Sequence, residues 1–311
     1  MKRKERRKKK YRYMLILFAF LIFIFGAILI LSTKTKQKQN EKPNEISLHS
    51  GKTKEKNSES KTSLFSKTEN RLPILMFHYV TSRPDELPQD SNNISIDVFE
   101  NELKTLKQNK YKTVTAKEAQ RLLTTREKPG NKLVWLTFDD GSITMYTEIF
   151  PLLKKYNMHA TSFIITDFVN NGQGGILNWD QIKEMKDSGL VDFGSHTANH
   201  FDLGVQTDEL QKQELLKSKA DLDKHLKQNT NMICYPAGGY NKDTLDIAKD
   251  LGYKFGFLDP GRNGAVEGDA KESDGLLTLP RYRMLDTTTA GDVVKILEEA
   301  TNFNVENTVG S

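Results

Sequence analysis

The sequence predicts an α/β fold, a distorted (β/α) barrel of about seven strands, preceded by one transmembrane helix and a disordered linker. Three observations in the 311 residues lead there: an uncharged apolar stretch near the start, a polar stretch after it, and short apolar runs alternating with amphipathic segments from Arg71 onward. Such alternation implies parallel strands joined by helical crossovers, and about seven of them over roughly 240 residues suit a barrel-like closure.

The first element is Met14 to Leu31, an apolar run without a charged residue. At about 1.5 Å per residue it spans roughly the 30 Å of a hydrocarbon core. Nine Lys/Arg lie between Lys2 and Arg12, with Glu5 as the one acid among them. The positive-inside rule then makes residues 1–13 a basic cytoplasmic tail, 14–31 a signal anchor, and the rest extracellular. A cleaved signal peptide is the alternative, but Leu31 is followed by Ser-Thr-Lys-Thr-Lys rather than a small-x-small site. Residues 32–70 are rich in Lys, Ser, Thr, Asn and Glu; they cannot bury enough surface to offset chain entropy and read as a tether. A chain of that kind spans a few tens of ångströms, on the order of 5–6 Å times the square root of its length.

Charge divides along the same line. Residues 1–70 carry 18 Lys/Arg against 6 Asp/Glu, and residues 71–311 carry 28 against 35. The folded part is therefore acidic, which argues against a nucleic-acid partner. The single cysteine, Cys234, excludes an intrachain disulfide and a cysteine-rich metal site.

Within 71–311 the expected strands are Leu72–His78, Leu133–Phe138, Thr161–Ile165, Val191–Ser195, Met232–Tyr235, Lys254–Leu258 and Leu277–Met284. Asp97-Val-Phe-Glu100 and Thr115-Ala-Lys-Glu118 both fit a capping side chain with an acid three residues on. Thr207 opens the longest helix, to about Gln228, and further helices fit Met145–Asn157, Trp179–Ser188, Lys242–Leu251 and Thr289–Asn302. In such folds chemistry gathers at the C-terminal ends of the strands.

Three motifs stand at those ends. Thr137-Phe138-Asp139-Asp140-Gly141 closes an apolar strand with adjacent carboxylates, which repel unless a cation shares the site; taken alone it reads equally as an Asp-Gly turn. In Ser195-His196-Thr197-Ala198-Asn199-His200 two histidines four apart are expected on one face of a helical turn, so both imidazoles reach one ion. With Asp140 they make a two-His, one-carboxylate set that leaves coordination positions open for water and substrate. Tyr235-Pro236-Ala237-Gly238-Gly239 is a small-residue bend in which a backbone N–H can approach a substrate oxygen; Pro236 has none, which points to Ala237.

Thr-Phe-Asp-Asp-Gly, Ser-His-Thr-x-Asn-His and Tyr-Pro-x-Gly, in that order, resemble the polysaccharide deacetylases of carbohydrate esterase family 4, the NodB homology domain. The resemblance covers roughly Arg71 to Thr301. The strand Ile74-Leu-Met-Phe-His78-Tyr79 and the late Leu279-Pro-Arg281-Tyr-Arg283 look more like the branch of the poly-N-acetylglucosamine deacetylases. The resemblance implies Asp139 as catalytic base, Asp140, His196 and His200 as ligands of one divalent metal, zinc being the expected ion, and Ala237 as the oxyanion donor beside Tyr235 and Pro236. Two positions depart from the family pattern. Cys234 stands where many members place an arginine that orients the base, and Arg281 or Arg283 is the expected substitute. No histidine follows Lys254, so the usual late general acid is missing. His78 matches the first-strand histidine thought to serve in the biofilm branch, whereas His49 lies in the tether, His159 at the opposite end and His225 in a charged helix.

The implied reaction is removal of N-acetyl groups from an extracellular amino-sugar polysaccharide. Peptidoglycan N-acetylglucosamine is the expected target, because the tether keeps the domain near the membrane. Poly-N-acetylglucosamine exopolysaccharide and a catalytically silent glycan-binding module are the alternatives. Trp179 and Tyr240 are candidates either for stacking on sugar rings or for packing.

Overall fold

A computed structural model describes residues 69–83, 92–125, 127 and 132–306. The expected tail (1–13), the membrane helix (14–31) and the linker up to residue 68 lie outside the described residues. Among the described residues no helix is long and apolar enough to cross a membrane.

Each of the seven apolar runs contains a strand: β1 (Ile74–Phe77), β5 (Lys132–Phe138), β6 (Ala160–Ile164), β7 (Val191–Ser195), β8 (Met232–Cys234), β9 (Phe255–Phe257) and β10 (Tyr282–Arg283). They pair in parallel in the order β10-β1-β5-β6-β7-β8-β9. Leu279, just ahead of β10, forms a parallel bridge with Phe257. The segment Leu279–Arg283 thus touches β9 at one end and β1 at the other, and the edges of the curled sheet meet there.

Three strands are additions to the sequence reading. β2 (Tyr79–Thr81) and β3 (Asn93–Ser95) form a separate parallel pair, and β4 (Tyr111–Thr113) pairs with the first half of β5. Each has three residues, too few for a period-two pattern to register.

The helices are α1 (Ile96–Gln108), α2 (Ala116–Thr124), α3 (Phe150–Tyr156), α4 (Thr166–Asn170), α5 (Trp179–Asp187), α6 (Asp208–Leu226), α7 (Lys242–Asp250) and α8 (Ala290–Glu306). Thr115 and Glu118 form the reciprocal capping box their spacing implies, and Thr207 caps α6. The cap of α1 is Ser95, whose Oγ accepts from the Val98 N–H at 3.4 Å, not Asp97. The Met145–Asn157 segment is not one α-helix; its first residues, Met145–Ile149, form a π-helical turn before α3.

Alternate strand residues enter different cores. Val134, Leu136 and Phe138 of β5 pack among the surrounding helices, while Trp135 joins Ile74, Phe163, Met232 and Phe257 inside the curl. Trp135 is fully buried, meets Phe257 edge-on at 5.1 Å, and donates its indole N–H to Thr161 Oγ1 at 2.8 Å. Losing a side chain packed that way costs about 3–5 kcal/mol. A filled interior leaves only the mouth of the curl for chemistry.

Candidate active site

At the C-terminal mouth of the sheet, His78, Asp139, His196 and Tyr235 each come directly after a strand: β1, β5, β7 and β8. With Asn92, Asp140, His200, Ala237, Asp259 and Arg262 they line a cavity of about 70 Å³. The Asp139 N–H continues the ladder by donating to Phe77 O at 3.0 Å. Asp140 then takes a left-handed conformation (φ 71°), so the adjacent carboxylates leave the strand in different directions.

Asp140 meets both histidines. Its Oδ1 lies 3.3 Å from His196 Nε2 and 3.4 Å from His200 Nε2, and these three donor atoms all lie within 4.8 Å of one another. Oδ1 is buried and makes no hydrogen bond. His196 Nδ1 is 2.8 Å from Cys234 O; a carbonyl only accepts, so Nδ1 carries the hydrogen and Nε2 presents its lone pair to the cluster. Burial alone would raise the Asp140 pKa, but the two imidazoles hold it far below the usual carboxylate range. An orphaned carboxylate oxygen facing imidazole nitrogens fits a divalent cation.

The histidines do not converge by a helical turn, as the spacing had implied. They lie on a loop in which Thr197 (φ 64°) and His200 (φ 63°) are left-handed. The loop is held by Thr197 N–H on Ser195 Oγ (3.1 Å), His200 N–H on Thr197 Oγ1 (3.0 Å), and Asn199 clamped by Glu214 of α6 at 2.7 and 2.8 Å. Left-handed non-glycine residues cost free energy and persist where surrounding contacts hold them.

Asp139 is fully buried against Arg281. Nη1 donates to Oδ1 at 2.9 Å and Nη2 to Oδ2 at 2.7 Å. The guanidinium also donates to Leu258 O (2.8 Å), Thr137 Oγ1 (3.2 Å) and Cys234 Sγ (3.1 Å). Burial would raise the Asp139 pKa, but the charge and hydrogen bonds of Arg281 outweigh it and hold it at about 2. Arg283 goes elsewhere: it pairs with Asp259 and donates to Asn92 Oδ1 at 3.1 Å. Of the two arginines, Arg281 is the one brought onto Asp139, beside Cys234.

His78 Nε2 lies 4.0 Å from Asp139 Oδ2. Burial lowers its pKa below 6.5, against the pull of the Asp139 and Asp140 charges. Ala237 sits in the short turn Pro236–Gly238 with φ 51°, its carbonyl accepting from Asn263 Nδ2 at 2.9 Å. At Gly239 an added Cβ would lie 1.7 Å from Asp202 Oδ1, so the Asp202 side chain would have to shift to admit one. Tyr235 lines the cavity but is buried, its ring stacking on Tyr240 at 5.3 Å and its hydroxyl donating to Leu277 O at 3.1 Å. Trp179 stacks on His225 at 4.1 Å, so each aromatic candidate has a packing partner within the protein.

Sequence reasoning passed over Asn92, Asp259 and Arg262 in the wall, and Tyr79, whose hydroxyl donates to Asp140 Oδ2. The one available signal was Tyr79's place beside His78 at the end of β1.

A parallel α/β barrel-like sheet with paired aspartates and two histidines at its mouth is an arrangement that could hold a metal ion for hydrolysis. The polysaccharide deacetylase family model matches residues 126–256. A Bacillus subtilis protein, YxkH, provisionally named a polysaccharide deacetylase, is 37% identical over 228 residues, covering 73% of this chain and 76% of that one. The poly-β-1,6-N-acetyl-D-glucosamine N-deacetylase of Staphylococcus aureus is 35% identical over 194 residues, 58% of this chain and 65% of that one. Among solved structures, the Streptococcus pyogenes deacetylase PplD in complex with acetate superimposes with a TM-score of 0.68 at 37% identity, covering 74% of this chain and 99% of that one. The chain belongs to the polysaccharide deacetylases of carbohydrate esterase family 4.

Proposed function

We propose that this enzyme is a divalent-metal-dependent N-deacetylase acting outside the membrane on an N-acetylglucosamine polymer. The observation that carries the reading is the division of the paired aspartates: Asp140 faces two histidines, whereas Asp139 is held ionised by Arg281 beside them. Asp140, His196 and His200 would hold the cation, with zinc the expected ion. Once bound, it supplies Lewis acidity to the acetyl carbonyl and to the attacking water. Asp139 accepts the proton of that water, and Arg281 fixes the carboxylate oxygens that receive it. The Ala237 N–H would donate to the oxyanion. His78 gives a proton to the departing sugar nitrogen, without which the amide cannot break. Its lowered pKa makes the imidazolium a strong donor but a minority species at neutral pH.

Support for an exopolysaccharide comes from the 35% identity to the Staphylococcus aureus poly-β-1,6-N-acetyl-D-glucosamine N-deacetylase. Support for peptidoglycan rests on the short tether behind an apolar anchor. We place the exopolysaccharide first, since the tether argument serves a polymer leaving a synthase equally well. The anchor reading, with residues 14–31 in the membrane and the domain extracellular, rests on the apolar run and its basic flank. The test is acetate release from β-1,6-linked N-acetylglucosamine oligomers and from purified wall, with zinc and then with chelator. Chelator-sensitive release from the oligomer, abolished in Asp139→Asn with metal retained, is expected. Release from neither substrate, or release indifferent to chelator, would overturn the reading.

A further inference from the structure

The two oxygens of Asp140 are in different environments. Oδ1 is buried, makes no hydrogen bond, and faces both histidine Nε2 atoms. Oδ2 accepts the Tyr79 hydroxyl. Tyr79 is not among the residues lining the cavity; it opens β2, directly after His78. Its backbone N–H donates to Asn92 O at 3.0 Å, and its strand pairs with β3 from Asn93 to Ser95. The phenol therefore comes from a hydrogen-bonded pair of strands rather than from a free loop.

We propose that Tyr79 is a positioning residue for the cation: by occupying Oδ2 it reserves Oδ1 as the single ligating oxygen of Asp140. The proposal rests on the reading that Asp140, His196 and His200 bind a divalent ion. A carboxylate free to rotate can present either oxygen or both, and each alternative moves the ion relative to the histidines. The Tyr79 hydroxyl removes that freedom. His196 is oriented by the same logic, its Nδ1–H held on Cys234 O at 2.8 Å. Two of the three donors thus have their unused polar atom occupied by a protein group, an arrangement that sets ligand orientation and metal affinity.

The test is zinc titration of the metal-stripped full chain in competition with a chromogenic chelator, for wild type, Tyr79→Phe and His200→Ala. Tyr79→Phe is expected to weaken zinc binding by about 10–100-fold, with the melting temperature of the metal-free protein unchanged. Wild-type affinity in Tyr79→Phe, or a loss matched by melting of the metal-free protein, would overturn the proposal. Tight wild-type binding lost in His200→Ala but kept in Tyr79→Phe removes Tyr79 alone. Absence of tight binding in wild type removes the metal site and the proposal with it. If Tyr79→Phe folds poorly, Phe99→Leu, a change in the buried core chosen to match its stability loss, is the control. Weakened zinc binding in Tyr79→Phe beside wild-type affinity in Phe99→Leu is expected, and equal loss of affinity in both would overturn the proposal.

Discussion

Replacing Arg281 with Met removes a guanidinium that is fully buried and makes two hydrogen bonds to Asp139, at 2.9 and 2.7 Å. Two magnitudes bear on the outcome. The Asp139 pKa of about 2, against an ordinary 3.8, corresponds to about 2 kcal/mol of stability. Because the folded pKa is the lower one, that contribution is present above pH 3.8 and is lost as pH falls through 2. This figure compares Asp139 with an exposed aspartate. In Arg281→Met the carboxylate stays buried but unpaired, and that costs about 3–5 kcal/mol. The chain can reduce the cost by protonating Asp139, since burial raises its pKa once the arginine is gone. A protonated aspartic acid accepts no proton, so turnover at pH 7 should fall by at least about 100-fold, the scale of general-base catalysis. The acidic limb of the pH–rate profile should move up, and part of the activity should return at alkaline pH. Denaturant unfolding and acetate release across pH measure the two effects on one preparation. Adding Cys234→Arg to Arg281→Met restores an arginine where many family members have one, and should recover stability. Wild-type turnover at pH 7 with an unmoved acidic limb would refute this account of Arg281.

Three further outcomes are expected. His200→Ala removes one of three ligands and should abolish tight metal binding and activity together; stoichiometric metal at submicromolar affinity in that variant would remove His200 from the site. His78→Ala should cut turnover by roughly 10²–10⁴-fold with metal retained and flatten the alkaline limb, and near-wild-type turnover would leave proton delivery to Asp139. Glu102, on α1, is 2% exposed, both its carboxylate oxygens lack a hydrogen-bond partner, and burial with the nearby Asp286 charge pushes its pKa from 4.5 up to about 8. With the folded pKa the higher one, stability is greatest below pH 4.5 and declines up to pH 8, by about 5 kcal/mol in all. Glu102→Met should therefore raise the melting temperature more at pH 8 than at pH 5, and equal gains at both would show that Glu102 does not ionise in the fold.

The strands and the aspartate and histidine motifs were legible because they are local: apolar runs mark buried parallel strands, and the motifs sit where those runs end. What failed depended on groups distant in sequence. The His196–His200 loop reads as a helical turn because nothing in Thr-Ala-Asn signals left-handed backbone; Glu214, on a helix that follows, holds Asn199 in place. Arg281 and Arg283 could not be separated because residues two apart on a strand share a face. Register does not choose between them: Arg283 is level with Met76 and Thr137, and Arg281 lies two residues further from the mouth, so both fall short of Asp139. The choice is made by contacts distant in sequence, Leu258 O accepting from Arg281 Nε at 2.8 Å and Asp259 taking Arg283.

The convergence of strand ends explains how the family's usual arginine can be absent without loss of the ion pair. Cys234 ends β8 and Arg281 precedes β10, yet Arg281 Nη2 lies 3.1 Å from Cys234 Sγ and 2.7 Å from Asp139 Oδ2. In a curled parallel sheet the strand ends converge on one mouth, so a side chain of sufficient length can reach the base from more than one strand. An arginine at 234 would compete with Arg281 for the same buried carboxylate, and two guanidinium groups there would leave one charge uncompensated. The small cysteine is the residue that lets Arg281 enter. A chain that had merely lost the family arginine would leave Asp139 unpaired, and there would be no reason for a fully buried Arg281 to be spending five hydrogen-bond contacts around that carboxylate. The buried Arg281–Asp139 pair therefore supports the proposal that Asp139 serves as a base, and it argues against the silent glycan-binding alternative.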